Sequence, residues 1–193
     1  MQKTCQSSLD KFSNCAIIET IKNGGREKME NVQLGIKTQN KELSSCAFTG
    51  HRFLEKDFSQ KALKRAIETL IKEGVNTFYN GMAIGFDLIS AETVLKFKKK
   101  YPFIKLIACI PCYNQERAFS DKDKKRYVAI LKKADEKIYV SENYFSGCMQ
   151  KRDRFMADRA DVLLAYLKKE TGGTAYTVRY FQKKYPEKEV VFI

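Results

Sequence analysis

The chain has 193 residues, of which 44% are hydrophobic, so it is long enough and apolar enough to bury a core. Its 36 basic and 23 acidic residues give a formal net charge of +13, which favours anionic partners. No apolar run approaches the ~20 residues that a membrane span needs, and no signal peptide is recognisable, so we expect a cytoplasmic protein without a membrane partner. One histidine and six scattered cysteines form no ligand pattern, so we expect reduced thiols and no metal site.

Residues 1–44 differ in composition from the rest of the chain. They are rich in Gln, Asn and Ser, contain the pair Gly24-Gly25, and show sustained apolar periodicity only over residues 8–22. We expect a poorly structured or loosely packed extension with at most one short helix. The basic charge belongs to the remainder, since residues 46–193 carry 29 basic and 18 acidic residues.

From residue 45 onward, patterns typical of strands alternate with patterns typical of helices. The expected strands cover residues 46–49, 77–80, 104–110, 137–140, 162–166 and 189–193. The expected helices cover residues 59–73 (with Ser59 as N-cap), 86–99, 121–134, 149–160 and 174–184. This alternation predicts an α/β fold: a single Rossmann-like, doubly wound, mainly parallel sheet with helices on both faces, over residues 45–193.

Ligands of such sheets bind beyond the carboxyl ends of the strands, and the first expected strand ends in a suggestive tetrapeptide. In Thr49-Gly50-His51-Arg52, Gly50 permits a sharp turn and Arg52 offers a forked cation to phosphate. His51 is the best candidate for acid or base chemistry because it titrates near neutral pH. The alternative is a capped turn without a ligand.

Two glycine turns precede expected helices. Gly81 and Gly85 lie between the second strand and the second helix, where free helix N–H groups attract anions. Asp87, which follows them, either caps that helix or accepts a hydrogen bond from a ribose hydroxyl. A second turn, Gly172-Gly173-Thr174, adds a hydroxyl suited to phosphate, although it could equally be a plain connection.

A charged helix start at residues 151–159 holds Arg152 and Arg159 seven residues apart, hence on one face. Both arginines could meet an anion, or they could pair with Asp153 and Asp158 at the surface.

In this order, these segments resemble the SLOG superfamily of Rossmann-like domains, and within it the YspA/YpsA-like branch of unknown function. The resemblance covers about residues 45–193. It rests on Cys46-Ala47-Phe48-Thr49-Gly50-His51-Arg52, Gly81 through Asp87 with Ala91-Glu92, Ile110-Pro111-Cys112 with Gln115-Glu116, Gly147-Cys148-Met149 with Arg152, Asp158-Arg159-Ala160-Asp161, and Gly172-Gly173-Thr174-Ala175 with Thr177-Val178-Arg179-Tyr180.

The resemblance implies binding of a nucleotide or a nucleotide-derived signal at the strand ends, and two branches imply alternatives. Lonely-guy phosphoribohydrolases cleave the base from a nucleoside monophosphate; Met149 and Arg152 match part of their pattern, but the expected Glu is absent between residues 175 and 186. The DprA/Smf branch, which binds single-stranded DNA, resembles the Gly81–Asp87 turn. Loop aromatics that could stack on bases are Tyr113, Phe119, Tyr144 and Phe145.

The sequence therefore predicts a nucleotide-binding domain and leaves open whether it is an enzyme. The expected ligand-binding residues are Gly50, Arg52, Gly81, Gly85, Asp87, Gly172, Gly173 and Thr174. The candidate catalytic residues are His51, Asp87 and Arg152, and Arg152 is also expected to pair with phosphate. No cofactor beyond a nucleotide-like ligand is expected. Nucleic acid and a second copy of the chain are further candidate partners.

Overall fold

The computed structural model describes residues 44–193, which alternate regularly between strand and helix. The strands are β1 (Ser45–Gly50), β2 (Thr77–Asn80), β3 (Lys105–Ile110), β4 (Glu136–Tyr139), β5 (Val162–Tyr166) and β6 (Val190–Phe192). The helices are α1 (Gln60–Lys72), α2 (Phe86–Lys98), α3 (Asp121–Leu131), α4 (Cys148–Ala157) and α5 (Gly173–Lys184), with a short 3₁₀ helix at Gln115–Ala118. The extension expected at residues 1–44, including its short helix, lies outside the described residues apart from Ser44.

The six strands form one sheet in the order β4-β3-β2-β1-β5-β6, and every neighbouring pair is parallel. The chain runs outward from β1 to β4, then returns to place β5 on the other side of β1. The strand order therefore reverses between β1 and β5, which is the switch point of a doubly wound fold. The predicted α/β Rossmann-like class is confirmed.

Two apolar cores cover the two faces of the sheet. Alternate residues of β5 enter different cores, since Val162 and Leu164 pack with residues of α1, α2 and α3, whereas Leu163 packs with residues of α4 and α5. This division follows from the two-residue repeat of a strand. Helices on both faces explain why β5 is apolar and buried along its whole length.

The first helix was predicted to within one residue at each end, because local signals mark both ends. The Ser59 hydroxyl accepts a hydrogen bond from the Ala62 N–H at 3.1 Å, as an N-cap should, and Gly74 follows the helix at a φ of +105°. The expected ends of α3 and α4 were three residues too late, because the chain turns toward the sheet there. None of the helices within residues 44–193 is long and apolar enough to cross a membrane.

Candidate functional site

A cavity of about 300 Å³ opens at the carboxyl edge of the sheet, where the segments that follow β1 and β5 diverge. We call it the edge cavity. Its wall includes seven of the ten residues predicted for the site: Gly50, His51, Arg52, Asp87, Arg152, Gly173 and Thr174. Gly81, Gly85 and Gly172 are not in its wall. Residues separated by more than 120 positions thus meet at the switch point, as the fold requires.

The centre of the edge cavity is a buried group of charges. Arg152 donates through Nε to Asp153 at 2.8 Å and through Nη1 to the carbonyl oxygen of Gly81, and Nη1 lies 3.8 Å from the Asp87 carboxylate. Arg152 is 5% and Asp87 6% exposed. Arg152 is therefore buried and its partner Asp153 is partly buried, and partners within the protein already occupy much of the guanidinium.

Asp87 is not the N-cap of α2, because Gly85 occupies that position without a side-chain hydrogen bond. Its carboxylate instead accepts the Ala83 N–H at 3.2 Å and so fixes the turn between β2 and α2. Burial raises the pKa of Asp87 to about 6, although Arg152 and the Ala83 N–H oppose this shift. A carboxyl with such a pKa changes charge close to neutral pH.

The predicted glycines fall into two structural groups. A Cβ on Gly50 would clash with the Phe86 ring, one on Gly81 would clash with Arg152, and one on Gly85 would clash with the carbonyl group of Arg52. These three glycines permit contacts within the protein. Groups of the protein itself already occupy the space beside these glycines. Their part in ligand binding therefore remains a prediction.

The two glycines of the turn before α5, unlike the three above, border open space. A Cβ on Gly172 or Gly173 would meet nothing within 4 Å, and Gly172, the N-cap, supplies no capping side chain. Gly173 and Thr174 both contribute to the wall of the edge cavity. The uncapped N–H groups of the first turn of α5 are thus available to an anion, in the direction favoured by the helix dipole.

His51 bridges the two diverging segments. Its Nε2 accepts the Lys168 N–H at 2.9 Å, and its carbonyl oxygen accepts the Phe86 N–H at 3.1 Å. Partial burial lowers the pKa of His51, and Lys169 lowers it further. The imidazole is therefore neutral at pH 7, and because Nε2 is an acceptor, the proton resides on Nδ1.

Arg52 lies between the edge cavity and a second cavity of about 530 Å³. Arg52 is exposed and forms no ion pair with any residue from 44 to 193. The second cavity, which we call the aromatic cavity, shares Arg52, Ala83 and Met149 with the edge cavity. The two cavities are therefore contiguous.

Three of the four loop aromatics noted in the sequence line the aromatic cavity. Tyr113 and Tyr144 are 54% and 73% exposed, whereas Phe119 packs edge-on against Tyr127. Tyr113 also contacts the Tyr139 ring, with ring centres 4.6 Å apart. The exposed parts of the Tyr113 and Tyr144 rings are thus candidates for stacking on a planar ligand.

Gln115 is a functional candidate that sequence reasoning did not single out. It lies in the 3₁₀ helix, and its Nε2 donates to the carbonyl oxygen of Met82 at 2.6 Å. Its Oε1 is buried and has no hydrogen-bond partner among the described residues. Gln115 lies in the wall of the aromatic cavity, but its Oε1 is enclosed by the protein, so a ligand donor reaches it only if the side chain turns. The Gln115-Glu116 motif in the sequence was the signal that could have identified this residue.

The fold and its edge define a Rossmann-like α/β protein of the SLOG type. The YspA SLOG family model matches residues 49–193, and the chain belongs to this family.

Among curated relatives, a UPF0398 protein of Brevibacillus brevis is 30% identical over 128 residues, covering 65% of this chain and 68% of the relative. The UPF0398 protein YpsA of Bacillus subtilis is 25% identical over 130 residues, covering 66% and 72%. An uncharacterized SPbeta prophage-derived protein of the same organism, YoqJ, is 32% identical over 136 residues, covering 64% and 80%.

Two solved structures share the fold. DNA processing protein A (DprA) of Streptococcus pneumoniae superposes with a TM-score of 0.57 at 17% identity, covering 78% of this chain and 50% of that one. DprA of Helicobacter pylori, described for its single-stranded DNA binding mode, superposes with a TM-score of 0.56 at 20% identity, covering 77% and 65%. This chain therefore spans about half to two thirds of each DprA chain.

Proposed function

We propose that the carboxyl edge of the sheet binds a nucleotide or nucleotide-derived molecule, with its phosphate in the edge cavity and its base in the aromatic cavity. The main support for this proposal is that the two cavities adjoin at Arg52. One side offers cationic and N–H groups, and the other offers aromatic faces. Such an arrangement matches the two chemically different ends of a nucleotide.

The phosphate end is supported by two groups. Arg52 has no internal ion pair among residues 44–193, so its guanidinium can form a bidentate contact with phosphate oxygens. The uncapped first turn of α5 lies in the same cavity wall and supplies backbone N–H groups, with the Thr174 hydroxyl beside them. Arg152 lies in the same wall, but Asp87 and Asp153 compensate its charge, so Arg52 and the first turn of α5 carry the attraction for phosphate.

The base end is supported by Tyr113 and Tyr144, whose exposed rings can stack on a purine or pyrimidine. After a turn of its side chain, the unpartnered Oε1 of Gln115 would accept a hydrogen bond from an exocyclic amino group. Asp87, which lies in the wall of the edge cavity, remains the candidate for a ribose hydroxyl.

Replacing Arg52 by alanine should weaken nucleotide binding by at least ~1.5 kcal/mol, a loss of more than tenfold in affinity, as expected for a charge-assisted contact. A thermal-shift panel identifies the ligand first, because binding to the native state raises its apparent stability. The panel holds mononucleotides, NAD, ADP-ribose, cyclic nucleotides and a short single-stranded oligonucleotide. The dissociation constant of the best ligand is then compared between wild type and variant.

Arg65→Ala is the matched control, since Arg65 is an exposed arginine of α1 that lines neither cavity. It should leave the affinity unchanged within about twofold. Equal affinities for wild type and Arg52→Ala would remove Arg52 from the site. A shift with the oligonucleotide alone, falling steeply with salt, would favour single-stranded DNA binding over a nucleotide.

Anion binding should strengthen about fivefold as the pH falls from 7.5 to 5.5. Protonation of Asp87, whose pKa burial raises to about 6, removes a negative charge from the cavity, which is worth about 1 kcal/mol near a bound phosphate. The ligand should be NAD or ADP-ribose, whose phosphodiester-type phosphates keep a fixed charge over this range. Isothermal titration calorimetry at several pH values measures the effect.

Asp87→Asn is the control for this pH dependence, because its amide oxygen can still accept the Ala83 N–H while its charge is fixed at zero. The variant should bind at pH 7.5 as tightly as wild type does at pH 5.5, with little further change. The same pH profile in both proteins would assign the titration to another group.

A phosphoribohydrolase-like activity on nucleoside monophosphates is the second candidate function, favoured by one observation. Asp87 is a buried carboxyl in the cavity wall with a pKa near 6, the property of a group that can donate a proton to a leaving base. Chromatography of reactions with each nucleoside monophosphate tests for free base. Release that is lost in Asp87→Asn would establish hydrolysis, and tight binding without release would leave a binding protein.

A further inference from the structure

A third concave surface lies between α2 and α3. It encloses about 880 Å³, and none of its lining residues lines the edge cavity or the aromatic cavity. We call it the lysine groove. It is defined by four lysines, Lys96, Lys99, Lys125 and Lys133, and by the apolar residues Leu95 and Ala129.

The lysine groove is rich in uncompensated positive charge. Its four defining lysines form no ion pair with any other residue in the described part of the chain. Two further cations in its wall are neutralised, since Lys98 pairs with Asp135 and Arg126 pairs with Glu92 and Asp123. Four exposed cations line this one surface without internal partners, so its charge is complementary to an anionic partner.

Apolar atoms lie between these lysines. Leu95 packs against the core, and Ile130, only 2% exposed, forms part of the same wall. Ala129 is exposed and also lines a shallower depression of about 370 Å³ on α3, which includes Val128 at 45% exposure. The surface therefore combines an apolar strip with flanking cations.

The apolar strip and the flanking lysines together favour one class of partner over others. Nucleic acid needs cations but gains little from an apolar strip, because its phosphates face the protein. A flat bilayer cannot reach the recessed Leu95 and Ile130. An amphipathic helix with acidic flanks satisfies both features, with its apolar face in the groove and its carboxylates toward the lysines. The 11 residues of α3 match about three turns of such a helix, on the order of 16 Å.

We propose that the lysine groove is a docking surface for an acidic amphipathic helix of a partner protein. Residues 1–43 of this chain are a poor match, because they carry seven basic and five acidic residues. The proposal is independent of the nucleotide site, since the two surfaces share no residue.

Fluorescence anisotropy with a synthetic probe tests this proposal on the full chain. The probe is a labelled 18-residue helix with leucines at positions i, i+3, i+4 and i+7 of each repeat and glutamates elsewhere. A scrambled peptide of identical composition and a labelled (dT)20 oligonucleotide serve as comparison probes. The amphipathic probe should bind at least tenfold tighter than the scrambled peptide. Equal binding of the two peptides, or no binding, would overturn the proposal.

Two variants separate docking from general attraction to anions. The double variant Lys125→Glu/Lys133→Glu should weaken probe binding at least tenfold, whereas Lys137→Glu/Lys183→Glu, with the same net charge at exposed sites elsewhere, should change it less than twofold. Ala129→Arg adds a cation but fills the groove, so it should abolish probe binding while leaving the melting temperature within a few degrees. Unchanged or tighter probe binding by Ala129→Arg would identify a polyanion surface and overturn the helix-docking proposal.

Discussion

Replacing Arg152 by methionine should lower the free energy of unfolding by about 3–5 kcal/mol, the cost typical of removing one partner from a buried ion pair. Arg152 is almost completely buried against Asp87, Asp153 and the carbonyl oxygen of Gly81. Methionine fills much of the same volume but leaves two carboxylates without their cation. Urea denaturation at pH 7 measures the loss.

Arg154→Met is the matched control on the same helix, because Arg154 is exposed and bonds to the Tyr176 hydroxyl alone among the described side chains. It should change the free energy of unfolding by no more than ~0.5 kcal/mol. Adding Asp87→Asn to Arg152→Met should restore part of the loss, since one uncompensated buried carboxylate is then removed. Similar losses at Arg152 and Arg154 would contradict the buried arrangement.

Gly85→Ala should destabilise the protein by about 3 kcal/mol. Gly85 has a φ of +80° and a ψ of −119°, a region that residues with a Cβ rarely adopt and that costs them roughly 1–3 kcal/mol. The added Cβ would also clash with the carbonyl group of Arg52 and lie 2.7 Å from the carbonyl oxygen of His51, and such overpacking costs about 1–3 kcal/mol. Both obstacles are backbone atoms, so the turn after β1 must move. Urea denaturation of the variant measures the effect.

Variants at two other glycines separate the conformational cost from the cost of the clash. Gly172 also has a positive φ, of +91°, with a ψ of −173°, but has open space around it, so Gly172→Ala should show the conformational cost alone, about 1–3 kcal/mol and less than for Gly85→Ala. Gly173 has open space and no positive φ, so Gly173→Ala should be neutral or slightly stabilising. Equal losses for Gly85→Ala and Gly172→Ala would mean that the contact with residues 51–52 is easily relieved.

The sequence predicted the fold because its signals are local. Apolar runs such as 162–166, an N-cap such as Ser59 and glycines at helix ends each act over a few residues, and their alternation implies parallel strands. The 3₁₀ helix at Gln115–Ala118 was missed, since it buries no residue and so leaves no periodic pattern. The single histidine and Gly173 lie in the wall of the edge cavity, and their part in ligand binding stays a prediction.

The sequence could not predict which site residues contact one another and which border open space. Gly81 and Gly173 look alike in the sequence, yet one lies against Arg152 and the other borders open space, and this difference depends on a contact across 71 positions. The pairing of Arg152 with Asp87 was hidden for the same reason. Sequence spacing shows which residues share a helix face, but tertiary packing decides whether an arginine faces a ligand or a carboxylate.

The hydrogen bond between His51 Nε2 and the Lys168 N–H has a kinetic consequence. Because it ties together the two segments that flank the edge cavity, the proposed nucleotide would bind with little ordering of these segments. Association would then be governed by diffusion and by attraction to a domain with 29 basic and 18 acidic residues over positions 46–193. The association rate for an anionic ligand should fall as ionic strength rises, while its dissociation rate changes far less.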